Sequence, residues 1–143
     1  MQTSFIISGL RTPIGKLRGS LSSVRADDLA AIPLKALLKR LSSVDSALID
    51  DVIMGCANQA GEDNRNVARM ALLLADFPYT VPGETINRLC ASGMSAVIQA
   101  NRSVTCGDAN LVIAGGVEHM TRAPMVMSKS SIPYGGQHEI YDS

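Results

Sequence analysis

The chain has 143 residues, 46% of them hydrophobic and 18% charged, which suits one globular domain with a real core and excludes a disordered chain. Lys and Arg together number 13, as do Asp and Glu, and the basic residues are scattered, so nucleic acid is not expected as a partner. No apolar run approaches the roughly 20 residues that span a bilayer, and Phe5-Ile6-Ile7 is too short for a signal-peptide core, so a cytoplasmic protein without membrane attachment is expected.

Residues 4–10 (SFIISGL) read as a short strand, broken by the Pro13 and Gly15 of Arg11-Thr12-Pro13-Ile14-Gly15, with a loop to about Val24. From 27 to 40, Leu29, Ile32, Leu37 and Leu38 recur at helical spacing. Asp27 and Asp28 stand at the start of this helix and Lys39 and Arg40 at its end, with Pro33 inside as a source of bending. Residues 49–57 (IDDVIMGCA) form a second strand, and 66–75 (NVARMALLLA) a helix apolar on most sides and so largely buried. Phe77, Pro78 and Pro82 mark a turn, 81–87 a third strand, and 93–106 a helix whose only charge is Arg102. With Met94, Val97, Ile98, Ala100 and Val104 spread round its circumference, that helix is expected to be central and packed on more than one side. Residues 111–117 (LVIAGGV) are apolar without alternation, as in a strand buried on both faces of a parallel sheet. Strand–helix repetition means an α/β fold. Beyond Glu118 the chain becomes a polar tail without periodicity.

The most informative stretch is Glu84-Thr85-Ile86-Asn87-Arg88-Leu89-Cys90-Ala91-Ser92-Gly93. It sets a cysteine in a strand-to-helix turn, where the first amides of the helix have no intrahelical partner and favour a thiolate. Cys90 is the candidate nucleophile; Ser92 offers an N-cap and Gly93 allows close approach of another backbone. Cys56 and Cys106 take the ordinary packing role of a free cysteine. The three thiols contain no CxxC pair and accompany no histidine cluster, which fits neither a zinc site nor a disulfide framework.

Other candidates are weaker. Gly115-Gly116 belongs to neither GxGxxG nor GxxxxGK[ST], so close packing is the simpler role. His119 and His138 are the only imidazoles available to activate Cys90, and both lie in loop-like sequence where solvation is the commoner outcome. Asp45, Asp50 and Asp51 read as solvated carboxylates, and Lys16 and Arg18 as surface charge. An ordinary thiol with pKa about 8.5 is only a few per cent ionised at neutral pH, and the chain offers no convincing base for it.

Three stretches in the right order resemble the thiolases, which transfer acyl groups between thiols of coenzyme A. They are Ile86-Asn87-Arg88-Leu89-Cys90-Ala91-Ser92-Gly93 for the nucleophile motif, residues 11–15 for the N-terminal signature, and Ala114-Gly115-Gly116-Val117-Glu118-His119-Met120 after the catalytic helix. Residues 25–29 and 61–69 look closest to thiolases that cleave 3-oxoadipyl-CoA in aromatic degradation. The resemblance implies a layered α/β fold with a mixed, mostly parallel sheet and a central buried helix, present here only as an incomplete N-terminal half. Residues 1–118 would be the partial α/β domain and 119–143 the start of a loop region that meets coenzyme A.

It further implies that Cys90 carries the acyl group as a thioester, its own amide helping to hold the oxyanion. Coenzyme A would be a co-substrate, with no separate cofactor and no metal, in a homodimer or homotetramer when full length. The activating histidine and second acid–base cysteine of the family have no counterpart here. Alternatives are a catalytically incomplete structural piece and a related condensing enzyme. The last strand would be an exposed edge, and the Cys90 helix would lack its usual partner layer.

Overall fold

The computed structural model describes residues 3–58, 61, 62, 65–136 and 138–142; Asp63 and Asn64 of the 61–69 stretch lie outside the described residues, as does Ser143. Helices α1 (Ala26–Arg40), α2 (Val67–Leu74) and α3 (Ser92–Cys106) alternate with strands β1 (Asp51–Gly55), β2 (Gly83–Ile86) and β3 (Val112–Gly116). The strands form one parallel sheet in the order β2-β1-β3.

The sequence of β1 explains the layering. Successive side chains of a strand point to opposite faces. Val52 and Met54 accordingly enter a core with Ala31 and Leu34 of α1, Val67, Ala68, Ala71 and Leu72 of α2, and Phe77. Ile53 enters the opposite core with Ala96 and Ala100 of α3. Val52, Ile53 and Met54 are all buried, as expected of a consecutive apolar run where both faces of a sheet are covered. Pro33 sits inside α1 without ending it. Asn66 caps α2, its side-chain oxygen accepting from the Arg69 amide at 3.2 Å.

Three expectations are revised. Residues 4–10 have no ladder partner among the described residues: Phe5, Ile6 and Ile7 are exposed, and a cavity of about 1250 Å³ separates this segment from Leu111, Ile113 and Val117. Its apolar pattern is that of a strand, but pairing requires a second backbone about 4.8 Å away. The same gap leaves β3 only half-buried, paired with β1 on one edge. Second, the tail is not irregular throughout: β4 (Met125–Met127) and β5 (Ile140–Asp142) pair antiparallel. Third, α3 buries one face through Ser95, Ala96 and Ala100, while Met94, Val97 and Ile98 on its other side are open.

An ion-pair knot holds together the loops before α1, before α2 and after β3. The Arg122 Nε donates to both carboxylate oxygens of Glu62 at 2.7 and 2.9 Å, and the Ala26 amide donates to the same carboxylate at 3.1 Å. Arg25 pairs with the buried Asp27 at 3.0 Å and donates to the Glu62 carbonyl at 2.9 Å. The Arg122 hydrogen bond is the main cause that holds the Glu62 carboxyl below its ordinary range, so its contribution to stability is full above about pH 4.5 and is lost as pH falls through the lowered native value. Asp51 opposes this trend, because burial raises its pKa and favours the native state on protonation. Thermal midpoints at pH 7 and pH 4 should therefore differ more for the natural chain than for Glu62→Gln; an equal difference would remove Glu62 from the acid response.

Candidate active site at the ends of the parallel strands

Because β1, β2 and β3 are parallel and Gly55 is in register with both Ile86 and Gly116, the loops leaving all three strands emerge at one edge. Open parallel sheets bind ligands at such an edge. Here the loops enclose a cleft of about 660 Å³ lined by Ala57, Asn58, Cys90, Gly93, Glu118 and Met120.

Glu118 stitches the cleft wall. Its carboxylate accepts from the Ala57 and Asn58 amides at 3.0 and 2.9 Å and meets the Cys56 Sγ at 3.7 Å. Asn87 donates through Nδ2 to the Ala57 carbonyl at 3.1 Å, tying the nucleophile turn to the same loop.

Cys90 is exposed in the turn between β2 and α3. Leu89 before it has φ 49°, a left-handed conformation that costs a non-glycine residue about 1–2 kcal/mol. The Leu89 amide donates to Asn87 Oδ1 and the Arg88 amide to Ser92 Oγ, while the Ala91 and Ser92 amides donate to the Arg88 and Leu89 carbonyls. The Cys90 amide alone of these has no acceptor among the described residues.

Ser92 is not the N-cap the sequence suggests. That position is Ala91, without a side-chain bond, and Ser92 is the first helical residue, its hydroxyl turned back onto the turn. The close approach assigned to Gly93 belongs to Gly55: a Cβ there would stand 2.2 Å from the Gly93 nitrogen and from the Ser92 carbonyl carbon, whereas one on Gly93 would meet nothing nearer than 3.9 Å. Gly116 is likewise tight, its Cβ falling 2.8 Å from the Gly55 oxygen, but Gly115 is open. A glycine ending an apolar strand is the signal that could have revealed Gly55. The lone carboxylate directly after β3 could have revealed Glu118.

The remaining candidates separate. Cys56 is buried, as expected; Cys106 is exposed at the end of α3 rather than buried. His119 is buried at 6% exposure with Nε2 3.1 Å from the Leu21 carbonyl, because the loop after β3 folds under residues 21–22. His138 is exposed, with Nδ1 3.1 Å from the Ser128 carbonyl, and neither imidazole lines the Cys90 cleft. Asp45 caps a short 3₁₀ turn through the Ala47 amide, and Asp50 clamps the Asn110 and Leu111 amides, which lowers its pKa. These aspartates are structural rather than merely solvated. Arg18 is exposed in the left-handed region, its amide donating to Thr121 Oγ1, and Lys16 is exposed. Among the described residues no group of three or more His, Cys, Asp or Glu could hold a metal ion, and no helix is long and apolar enough to cross a membrane.

The family model for the thiolase N-terminal domain matches residues 4–140. The chain belongs to the thiolase family. A beta-ketoadipyl-CoA thiolase of Pseudomonas aeruginosa is 61% identical over 97% of the chain, and a 3-oxoadipyl-CoA/3-oxo-5,6-dehydrosuberyl-CoA thiolase of Escherichia coli is 60% identical over all of it. The chain covers 35% and 36% of those thiolases, so it spans about a third of their length. The crystal structure of a Bacillus anthracis acetyl-CoA acetyltransferase superposes with a TM-score of 0.81 at 38% identity, over 93% of this chain and 34% of that one. The thiolase fold and its mostly parallel sheet are thus shared, with this chain corresponding to a fragment of the full enzyme.

Proposed function

We propose that the chain carries the nucleophile of a thiolase that cleaves a 3-oxoacyl-CoA, with 3-oxoadipyl-CoA as the substrate favoured by its relatives' names. The supporting observation is that an exposed cysteine and its own amide, which has no acceptor among the described residues, sit together at the mouth of an open cleft. The Cys90 Sγ, as thiolate, attacks the 3-keto carbon, and the developing oxyanion is held by donors such as the Cys90 N–H. Collapse of the tetrahedral adduct breaks the C2–C3 bond. The two-carbon carbanion takes a proton and leaves as acetyl-CoA, and the shortened acyl group stays on Sγ as a thioester. A second coenzyme A thiol attacks that thioester and restores Cys90.

In this reading the base that removes the Sγ proton and the acid that protonates the carbanion lie in the two thirds of a thiolase's length that the chain does not span. Coenzyme A is a co-substrate, and no metal or separate cofactor enters the cycle. Residues 119–143 begin the loop region facing coenzyme A, and the working enzyme is a cytoplasmic homodimer or homotetramer. The test is intact-mass analysis after incubation with 3-oxoadipyl-CoA, acetoacetyl-CoA or a carrier-protein thioester at pH 9, where a thiol of ordinary pKa about 8.5 is ionised without a base. A CoA-derived acyl adduct absent in Cys90→Ser supports the proposal. No adduct points to a catalytically incomplete piece, and an adduct from carrier-bound donors alone points to a chain-extending condensing enzyme.

A further inference from the structure

The turn that presents Cys90 is held in an unfavourable backbone conformation by two side chains that flank it. Leu89 is 73% exposed, so burial of its side chain does not compensate for its φ of 49°. Ser92, in contrast, is 3% exposed, and its hydroxyl is used twice on the turn: it accepts from the Arg88 amide at 2.8 Å and donates to the Leu89 carbonyl at 2.5 Å. Asn87 accepts from the Leu89 amide at 3.0 Å, and its Nδ2 is anchored on the Ala57 carbonyl.

An N-cap serine bonds forward, to the helix's own amides, but Ser92 stands one residue further on. Here the hydroxyl bonds backward, to the two residues before the cysteine. Its bonds close over the peptides on either side of the Arg88–Leu89 linkage, so the left-handed state of Leu89 and the direction in which Cys90 leaves the turn are set together.

We propose that Ser92 is a positioning residue for the nucleophile: its buried hydroxyl keeps Leu89 left-handed and thereby aims the Cys90 thiol and amide at the cleft. This rests on the reading of Cys90 as nucleophile, but its test needs no acyl-CoA. The rate of Cys90 alkylation by iodoacetamide, read by peptide mapping against Cys106 as internal reference, is measured in the full chain and in Ser92→Ala, Leu89→Gly and the double variant.

Ser92→Ala lowers the Cys90 rate relative to Cys106 at least tenfold. Leu89→Gly alone keeps it within about twofold, because glycine adopts positive φ without a steric cost. The double variant regains most of the lost reactivity, since the turn no longer needs its clamp. A hydroxyl that served only global stability would act on the thermal transition, and glycine at 89 would not restore the Cys90 rate selectively. An unchanged rate in folded Ser92→Ala overturns the proposal. Should Ser92→Ala not fold, the double variant decides: recovery of folding and of Cys90 reactivity upholds the clamp, and failure of either overturns it. Loss of acylation by acyl-CoA with this alkylation pattern intact would instead count against the thiolase reaction alone.

Discussion

Gly55→Ala is expected to lower stability by about 3 kcal/mol, the upper part of the usual range for overpacking, and the thermal midpoint by about 10 °C. A Cβ at this position falls 2.2 Å from the Gly93 nitrogen and the Ser92 carbonyl carbon, both backbone atoms of the first turn of α3, so no side-chain rotation can relieve the clash. Either β1 or the start of α3 must move. Val52, Ile53 and Met54 anchor β1 in two cores, whereas the outer face of α3 is open, so the helix is the element expected to yield. Displacement of α3 moves Ser92, and with it the turn that carries Cys90. The variant should therefore lose Cys90 acylation even at temperatures where it stays folded. A calorimetric midpoint within 2–3 °C of the parent, less than about 1 kcal/mol, would show that the contact is not as rigid as described.

The second large effect concerns association. A polypeptide of residues 1–143 exposes Phe5, Ile6 and Ile7 beside the open edge of β3, and Met94, Val97 and Ile98 on the outer face of α3. Unpaired strand edges and contiguous apolar patches of this kind are covered in stable proteins. At micromolar concentration the polypeptide is expected to sediment as a dimer or larger species, each copy covering the other. Introducing lysine at both Met94 and Ile98 should shift that equilibrium toward monomer. A monodisperse monomer with a cooperative thermal transition would contradict this expectation.

How much of this was legible in the sequence depends on the range of the interactions involved. The helices α2 and α3 and the cores of β1, β2 and β3 were found to within a few residues, because their apolar pattern and breakers are local. Residues 4–10 carry the pattern of a strand, yet strand pairing is decided by a distant edge, which here lies across a cavity. The β4–β5 pair was missed because each strand has three residues and the connection between them, residues 128–139, is far longer than a tight hairpin turn. At the site, the thiol in a strand-to-helix turn was visible directly. The backward hydrogen bonds of Ser92, the burial of His119 beneath residue 21 and the grip of Glu118 on the loop after β1 all require tertiary geometry.

The three cysteines offer the most direct test of the central claim, because Cys106 is exposed like Cys90 but lies at the opposite end of α3, and Cys56 is buried. The chain is incubated with 3-oxoadipyl-CoA at pH 9, where an ordinary thiol is ionised without a base, quenched in acid to preserve thioesters, digested and mapped by mass. The acyl group is expected on the peptide containing Cys90 and on neither of the others. An acyl group on Cys106 in equal or greater yield would mean that exposure alone governs the reaction, and the assignment of the nucleophile would be wrong.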